Sequence, residues 1–168
     1  MPPNASPPTT PELKSEILSL IEKLRSLQLA TLNESGQPEA SYTPFLYQAP
    51  DFYIFVSALA AHTRNLIEQR QCGIMLIEDE TQARNLFART RLMFDMQVEP
   101  VAKDSEDYES ILDAMENRLG NTVGMLRSLP DFSLLRLKFQ SGRFVKGFGA
   151  AYAIRNPEFS DIEQITGK

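Results

Sequence analysis

A chain of 168 residues, 42% hydrophobic and 23% charged, has the length of one domain and the composition of an ordinary globular protein. Its 17 basic and 22 acidic residues leave a net charge of −5 with no Lys/Arg block, so the electrostatic footprint of a nucleic-acid binder is missing. One cysteine, Cys72, precludes an internal disulfide; one histidine, His62, precludes a His/Cys zinc cluster; no apolar run reaches the length of a membrane span.

Residues 1–10, rich in Pro, Ser and Thr, are expected to be disordered, and with neither a basic nor an apolar leader they suggest a cytoplasmic protein. Thr10 then caps a helix with Pro11 in its first position. It runs to about Leu27, with Leu13, Ile17, Leu20, Ile21, Leu24 and Leu27 on one face. Gln28–Asn33 is a short strand, Glu34-Ser35-Gly36 a turn, and Gln37–Tyr47 a second strand. Within the latter Pro44 cannot donate to a ladder, so a free edge or a bulge is expected there. Phe52–Val56 is wholly aromatic or β-branched and suits a strand covered on both faces.

After Ser57 and the small residues Ala58–Ala61, a helix over 62–70 opens with His62-Thr63-Arg64-Asn65. Unpaired N–H groups and the helix dipole favour an anion at such an end, and an arginine fork matches phosphate oxygens. The same residues also suit an ordinary helix start, with Thr63 as the cap and Arg64 in solvent. Gln71–Ile77 is a buried strand, and 78–85 a polar loop. Ala88–Val101 alternates as an antiparallel strand, with Arg89, Arg91, Met93, Asp95 and Gln97 on its polar face. A helix follows from Asp104 or Ser105 to about Arg118; Leu119–Pro130 is irregular. Phe132–Phe139 and Arg143–Ile154 form a hairpin about Gln140-Ser141-Gly142, with Arg143 and Lys146 as surface charges. Residues 155–168 form a peripheral tail, leaving 11–154 as the single domain. With no βαβ alternation, the expected fold is mainly β: a small antiparallel β-barrel with three flanking helices.

Several chemistries lack their residues. No Gly-x-Ser-x-Gly surrounds a serine, which argues against a hydrolase, and no phosphate-cradling Walker loop is present. Gly147-Phe148-Gly149 is read as a bulge or a close-packed strand. The remaining hydroxyls, arginines and helix end suit a bound anionic cofactor.

The order ASYTPFLY, FVSALAAHTRNL, ARTRLMFDMQVEPV and DFSLLRLKFQSGRFVKGFGAAY resembles the pyridoxamine-phosphate-oxidase-like FMN-binding split barrels, over roughly Leu27–Ile154. Within them it looks most similar to the haem-utilisation (HugZ-like) branch. The resemblance implies a six-stranded antiparallel split barrel, a homodimer with its ligand site at the subunit interface, and a small-molecule substrate. Carried over by position, Ser57, His62, Thr63, Arg64 and Asn65 would hold the FMN phosphate. Ser41, Tyr42 and Thr43 would line the flavin, and Arg91 would reach phosphate or ring. The leading implication is an FMN-dependent oxidoreductase without an assignable catalytic residue. The alternatives are a haem-binding or haem-degrading protein and a non-catalytic dimeric module. Haem-degrading members bind iron through a C-terminal histidine; here residues 155–168 contain none, and His62 is the only conventional ligand.

Overall fold

A computed structural model describes residues 6–166; residues 1–5 of the expected disordered stretch and 167–168 of the expected tail lie outside them. The elements in order are α1 (Thr10–Lys23), β1 (Ser26–Leu32), β2 (Pro38–Pro44), β3 (Leu46–Gln48), β4 (Asp51–Ser57), α2 (Ala61–Gln69) and β5 (Gln71–Ile77). They continue with β6 (Arg91–Pro100), α3 (Glu106–Leu119), α4 (Thr122–Leu126), β7 (Phe132–Val145), β8 (Ala151–Ile154) and β9 (Ile162–Gln164). Every strand pairing is antiparallel, in the order β2-β1-β5-β6-β7-β4-β3, with β8 on β7 and β9 on β8. This is a split barrel with flanking helices, built among the described residues from nine strands where six were expected.

The first helix starts one residue earlier than expected. Thr9 is its cap, and the Glu12 carboxylate accepts from the Thr9 N–H (2.7 Å) and hydroxyl (2.9 Å). It stops at Lys23 because the Leu27-Gln28-Leu29-Ala30 alternation belongs to β1, whose residues are buried every second position. Arg118 of α3 clamps this end. Its Nη2 donates to the carbonyls of Ile21 (3.3 Å), Glu22 (3.1 Å) and Leu24 (2.9 Å), which the helix leaves unpaired.

The expected single strand Gln37–Tyr47 divides at Phe45. Pro44 ends the β2 ladder, and Phe45 turns fully inward against Phe52 before β3 begins. Phe45 thus joins the two ends of the strand order. β4 is covered on both faces, as its composition implied. One face meets the main core, with Phe45, Phe52, Ile54, Leu92, Phe94, Leu135 and Phe144. The other meets α3 and α4 through Tyr53, Tyr108, Ile111, Met115 and Val123. The 119–130 stretch, expected to be irregular, thus contains a short helix that packs.

The expected hairpin at Gln140-Ser141-Gly142 is not a turn. β7 runs through it as one strand, with a register shift opposite Asp95/Met96 that leaves Gln140 unpaired in the ladder. Gly142 serves packing instead: a Cβ there would sit 2.5 Å from the Phe94 ring. The turn falls later, at 146–150, where Gly147 and Gly149 take positive φ. The segment after Ile154 is not peripheral throughout. β9 pairs with β8, and Phe159 is 2% exposed, its ring parallel to Phe94 at 5.9 Å.

Candidate functional site

The residues expected to bind an anionic cofactor separate into distinct groups. Ala60, not Thr63, precedes the first turn of α2, and no side chain caps it. The Thr63 hydroxyl is buried and donates to the Ser57 carbonyl (2.6 Å). Ser57 Oγ donates to the Asp131 carboxylate (2.7 Å) and accepts from the Leu59 N–H (3.1 Å). Asn65 is buried and donates to Thr31 Oγ1 (3.0 Å) and the Glu39 carboxylate (2.6 Å). His62 Nδ1 lies 3.1 Å from Ser41 Oγ, in a small cavity of about 280 Å³ with Glu39, Ala40 and Ala61. Arg64 is exposed beside this cluster, and Thr43 is buried next to Ser41.

Tyr42 and Arg91 belong elsewhere. Ser41 and Thr43 face the barrel interior, so alternation turns Tyr42 outward. On β6, Leu92, Phe94, Met96 and Val98 are buried inside, so Arg91 is also outward. It stands three strands from β2 in the sheet order, with its Nη1 donating to the Arg89 carbonyl (3.0 Å). Arg89 itself is held by the Glu78 carbonyl and Glu80.

The outer sheet face carries a feature that sequence reasoning missed. Strand register aligns Tyr42, Gln28, Met75, Met93, Arg143 and Ala153 in one row across β2, β1, β5, β6, β7 and β8. Two residues along, the row is Ala40, Ala30, Gly73, Asp95 and Ser141. Small residues leave a trough there, and the methionines and Arg143 form its flank. The resulting groove is about 700 Å³ and also takes in Arg155. Reading Gln71–Ile77 simply as a buried strand hid it; its burial in fact alternates, with Gly73, Met75 and Ile77 half-buried. Arg143, expected to be a hairpin surface charge, sits mid-strand on this face. Cys72 points the other way, into the core, where burial pushes its thiol up to about 12.

Burial holds the His62 imidazole below its ordinary range. The unfolded chain therefore takes up this proton more readily than the folded one, so stability is kept above about pH 6.5 and declines as pH falls below it. In urea titrations H62Q should show a flatter pH dependence than wild type across that range. Equal slopes in the two proteins would assign the effect to other groups.

The pyridoxamine 5'-phosphate oxidase family matches residues 13–146. The haem oxygenase HutZ of Vibrio cholerae is 41% identical over 153 residues, 91% of this chain and 87% of that protein. The crystal structure of HutZ, there described as a haem storage protein, superposes with a TM-score of 0.76 at 38% identity, covering 81% of this chain and 97% of that one. Campylobacter jejuni ChuZ superposes with a TM-score of 0.84 at 30% identity; the match takes in 95% of this chain and 64% of ChuZ.

Proposed function

The chain belongs to the pyridoxamine 5'-phosphate oxidase family of split barrels, within its haem-utilisation branch, and from that premise we propose that it binds haem on the outer face of its sheet. The observation that carries this reading is the groove of about 700 Å³ over Ala30, Ala40 and Gly73. A floor with nothing larger than a methyl group admits a planar ring close to the backbone. Met75 and Met93 offer adaptable apolar contact beside it. Arg143 and Arg155 stand at the same groove as partners for two carboxylates; Arg155 is already ion-paired with Glu163, which leaves Arg143 the freer of the two. Haem, when bound, supplies the redox-active iron for oxygen chemistry. Haem degradation, the activity in HutZ's name, is the reaction this reading extends to the chain.

The FMN oxidoreductase reading has less support. It needs a phosphate at the start of α2, where Ser57 already gives its hydroxyl to a carboxylate and the Asn65 amide donates to Thr31 and Glu39. Assembly is part of the proposal: the half-buried Met75, Ile77, Met93 and Val145 make this an apolar face that a second copy would cover, placing the ligand at a homodimer interface. Titration of the purified chain with ferric haem and, separately, with FMN tests the reading. Saturable growth of a shifted Soret band, without FMN uptake, is expected. Tight FMN uptake with no Soret change would overturn it.

A further inference from the structure

We propose that a second copy of this chain completes the groove: the Leu86-Phe87 turn of each subunit seats on the outer face of the other and closes its ligand site. The ligand half of this inference rests on the haem reading above; the subunit contact stands without it.

Leu86 and Phe87 lie in the connection between β5 and β6, which carries two single helical turns, Glu80–Gln82 and Leu86–Ala88. They are 64% and 89% exposed, and Phe87 is the most exposed aromatic residue among those described. The backbone that carries them is nonetheless fixed. Asn85 Oδ1 accepts from the Phe87 N–H (2.9 Å), and the Asn85 carbonyl accepts from the Ala88 N–H (3.1 Å). At the base of the connection the Glu78 N–H donates to the Thr90 carbonyl (2.9 Å) and the Thr90 N–H to the Glu78 carboxylate (2.7 Å). Arg89 Nε donates to the Glu78 carbonyl (3.1 Å). Single exposed apolar side chains are ordinary on a protein surface. Two in tandem on a pinned turn present a contact surface.

The turn stands at the end of the face that carries the groove. β5 leaves that face at Ile77 and β6 re-enters it at Arg91, its register partner; Val145 continues the row, and all three are half-buried. The connection also meets α1, with Asp79 and Gln82 in the cleft between them, but neither Leu86 nor Phe87 lines that cleft. The Met75–Met93 row comes next along the face, and the Gly73–Asp95 trough lies four residues back from Ile77, about 14 Å at ordinary strand rise. A two-fold axis in the plane of the face, passing between the end row and the trough, lays each turn over the trough of the other copy. That is the reciprocal contact an isologous dimer requires. Covering the pair removes on the order of 300 Å² of apolar surface, a large share of the ~800 Å² per partner in a standard interface. The half-buried Met75, Ile77, Met93 and Val145 extend the same apolar area. The groove, open above its floor in one chain, then gains an aromatic wall against which a planar apolar ligand stacks.

The experiment compares the full chain as wild type, L86S/F87S and G73F, with far-ultraviolet circular dichroism as the check that each is folded. Sedimentation over a dilution series is expected to show a wild-type dimer and about hundredfold weaker association in L86S/F87S, the order of losing interface hot spots. Ferric-haem titration should show about tenfold weaker uptake by L86S/F87S. Mixing then tests whether the site is shared. L86S/F87S keeps the trough and loses the turn, whereas G73F keeps the turn and blocks the trough, so neither homodimer has a complete site. A heterodimer of the two has one. Co-expressed in equal amounts, they should recover about a quarter of the wild-type haem stoichiometry at wild-type affinity, since half of randomly paired dimers are mixed and each restores one site of two. A monomeric wild type, or an L86S/F87S dimer as tight as wild type, overturns the contact. Undiminished haem affinity in a dissociated L86S/F87S, or a mixture with no more tight uptake than its parents, overturns the shared site. A wild-type dimer that takes up no haem overturns the haem reading, and the ligand half of the inference with it.

Discussion

Gly73→Phe is expected to abolish haem uptake, weakening it about a hundredfold or more, while leaving the melting temperature close to that of wild type. Gly73 sits mid-strand in β5, paired with Ala30 on one side and Asp95 on the other. A Cβ added there meets only the Ala30 Cβ, at an ordinary 3.6 Å, so a methyl group fits without displacement. Anything longer must project from the sheet into the trough. A benzyl group would occupy the space between the Ala30 side and the methionine row, where the ring of the ligand is placed. The fold has little reason to object: glycine weakens a strand interior, and phenylalanine favours one. Gly73→Ala is the control and should bind nearly as wild type does. Full binding by the phenylalanine variant would move the ligand off this face.

Phe159→Ala should cost about 3–5 kcal/mol of stability, the range for truncating a buried aromatic side chain. Phe159 is 2% exposed and lies parallel to Phe94, with Phe139 edge-on at 6.5 Å and Tyr47 at 6.4 Å. It belongs to a loop that Asn156 organises by accepting from the N–H groups of Ser160 (2.9 Å) and Asp161 (3.2 Å). Removing the ring empties the space against Phe94 and frees the loop that brings β9 back to β8. Urea denaturation should show the loss in its midpoint. A cost below about 1 kcal/mol would mean that Phe94 and Phe139 close the gap by themselves.

Much of the architecture was legible because it is written in alternation. Leu92, Phe94, Met96 and Val98 gave β6 its register and its inner face, and the aromatic and β-branched run at Phe52–Val56 announced a doubly covered strand. The C-terminal segment was not legible, because a single phenylalanine among polar residues has no period, and its burial depends on partners up to about a hundred residues earlier. The turn expected at Gln140-Ser141-Gly142 failed for a related reason. Turn composition there reflects the closeness of the Phe94 ring and a bulge, which only the partner strand reveals. The anion site was half legible. The helix start is real, but Asp131, Glu39 and Thr31 approach from distant elements and engage the polar groups that looked free. The groove was hidden by the opposite difficulty: Ala30, Ala40 and Gly73 signal nothing singly, and become a trough only when register sets them side by side.

Phe45 has a consequence for how the molecule avoids its own kind. The strand order begins with β2 and ends with β3, and one residue of chain joins those two edges. The barrel is therefore closed at this seam by covalent continuity instead of a ladder. An insertion at Phe45 would leave all the pairings available yet let the sheet swing open, exposing two unpaired edges, each a template for another chain. With its N–H donating to the Arg25 carbonyl and its ring turned inward against Phe52, Phe45 works in this sense as a clasp against polymerisation.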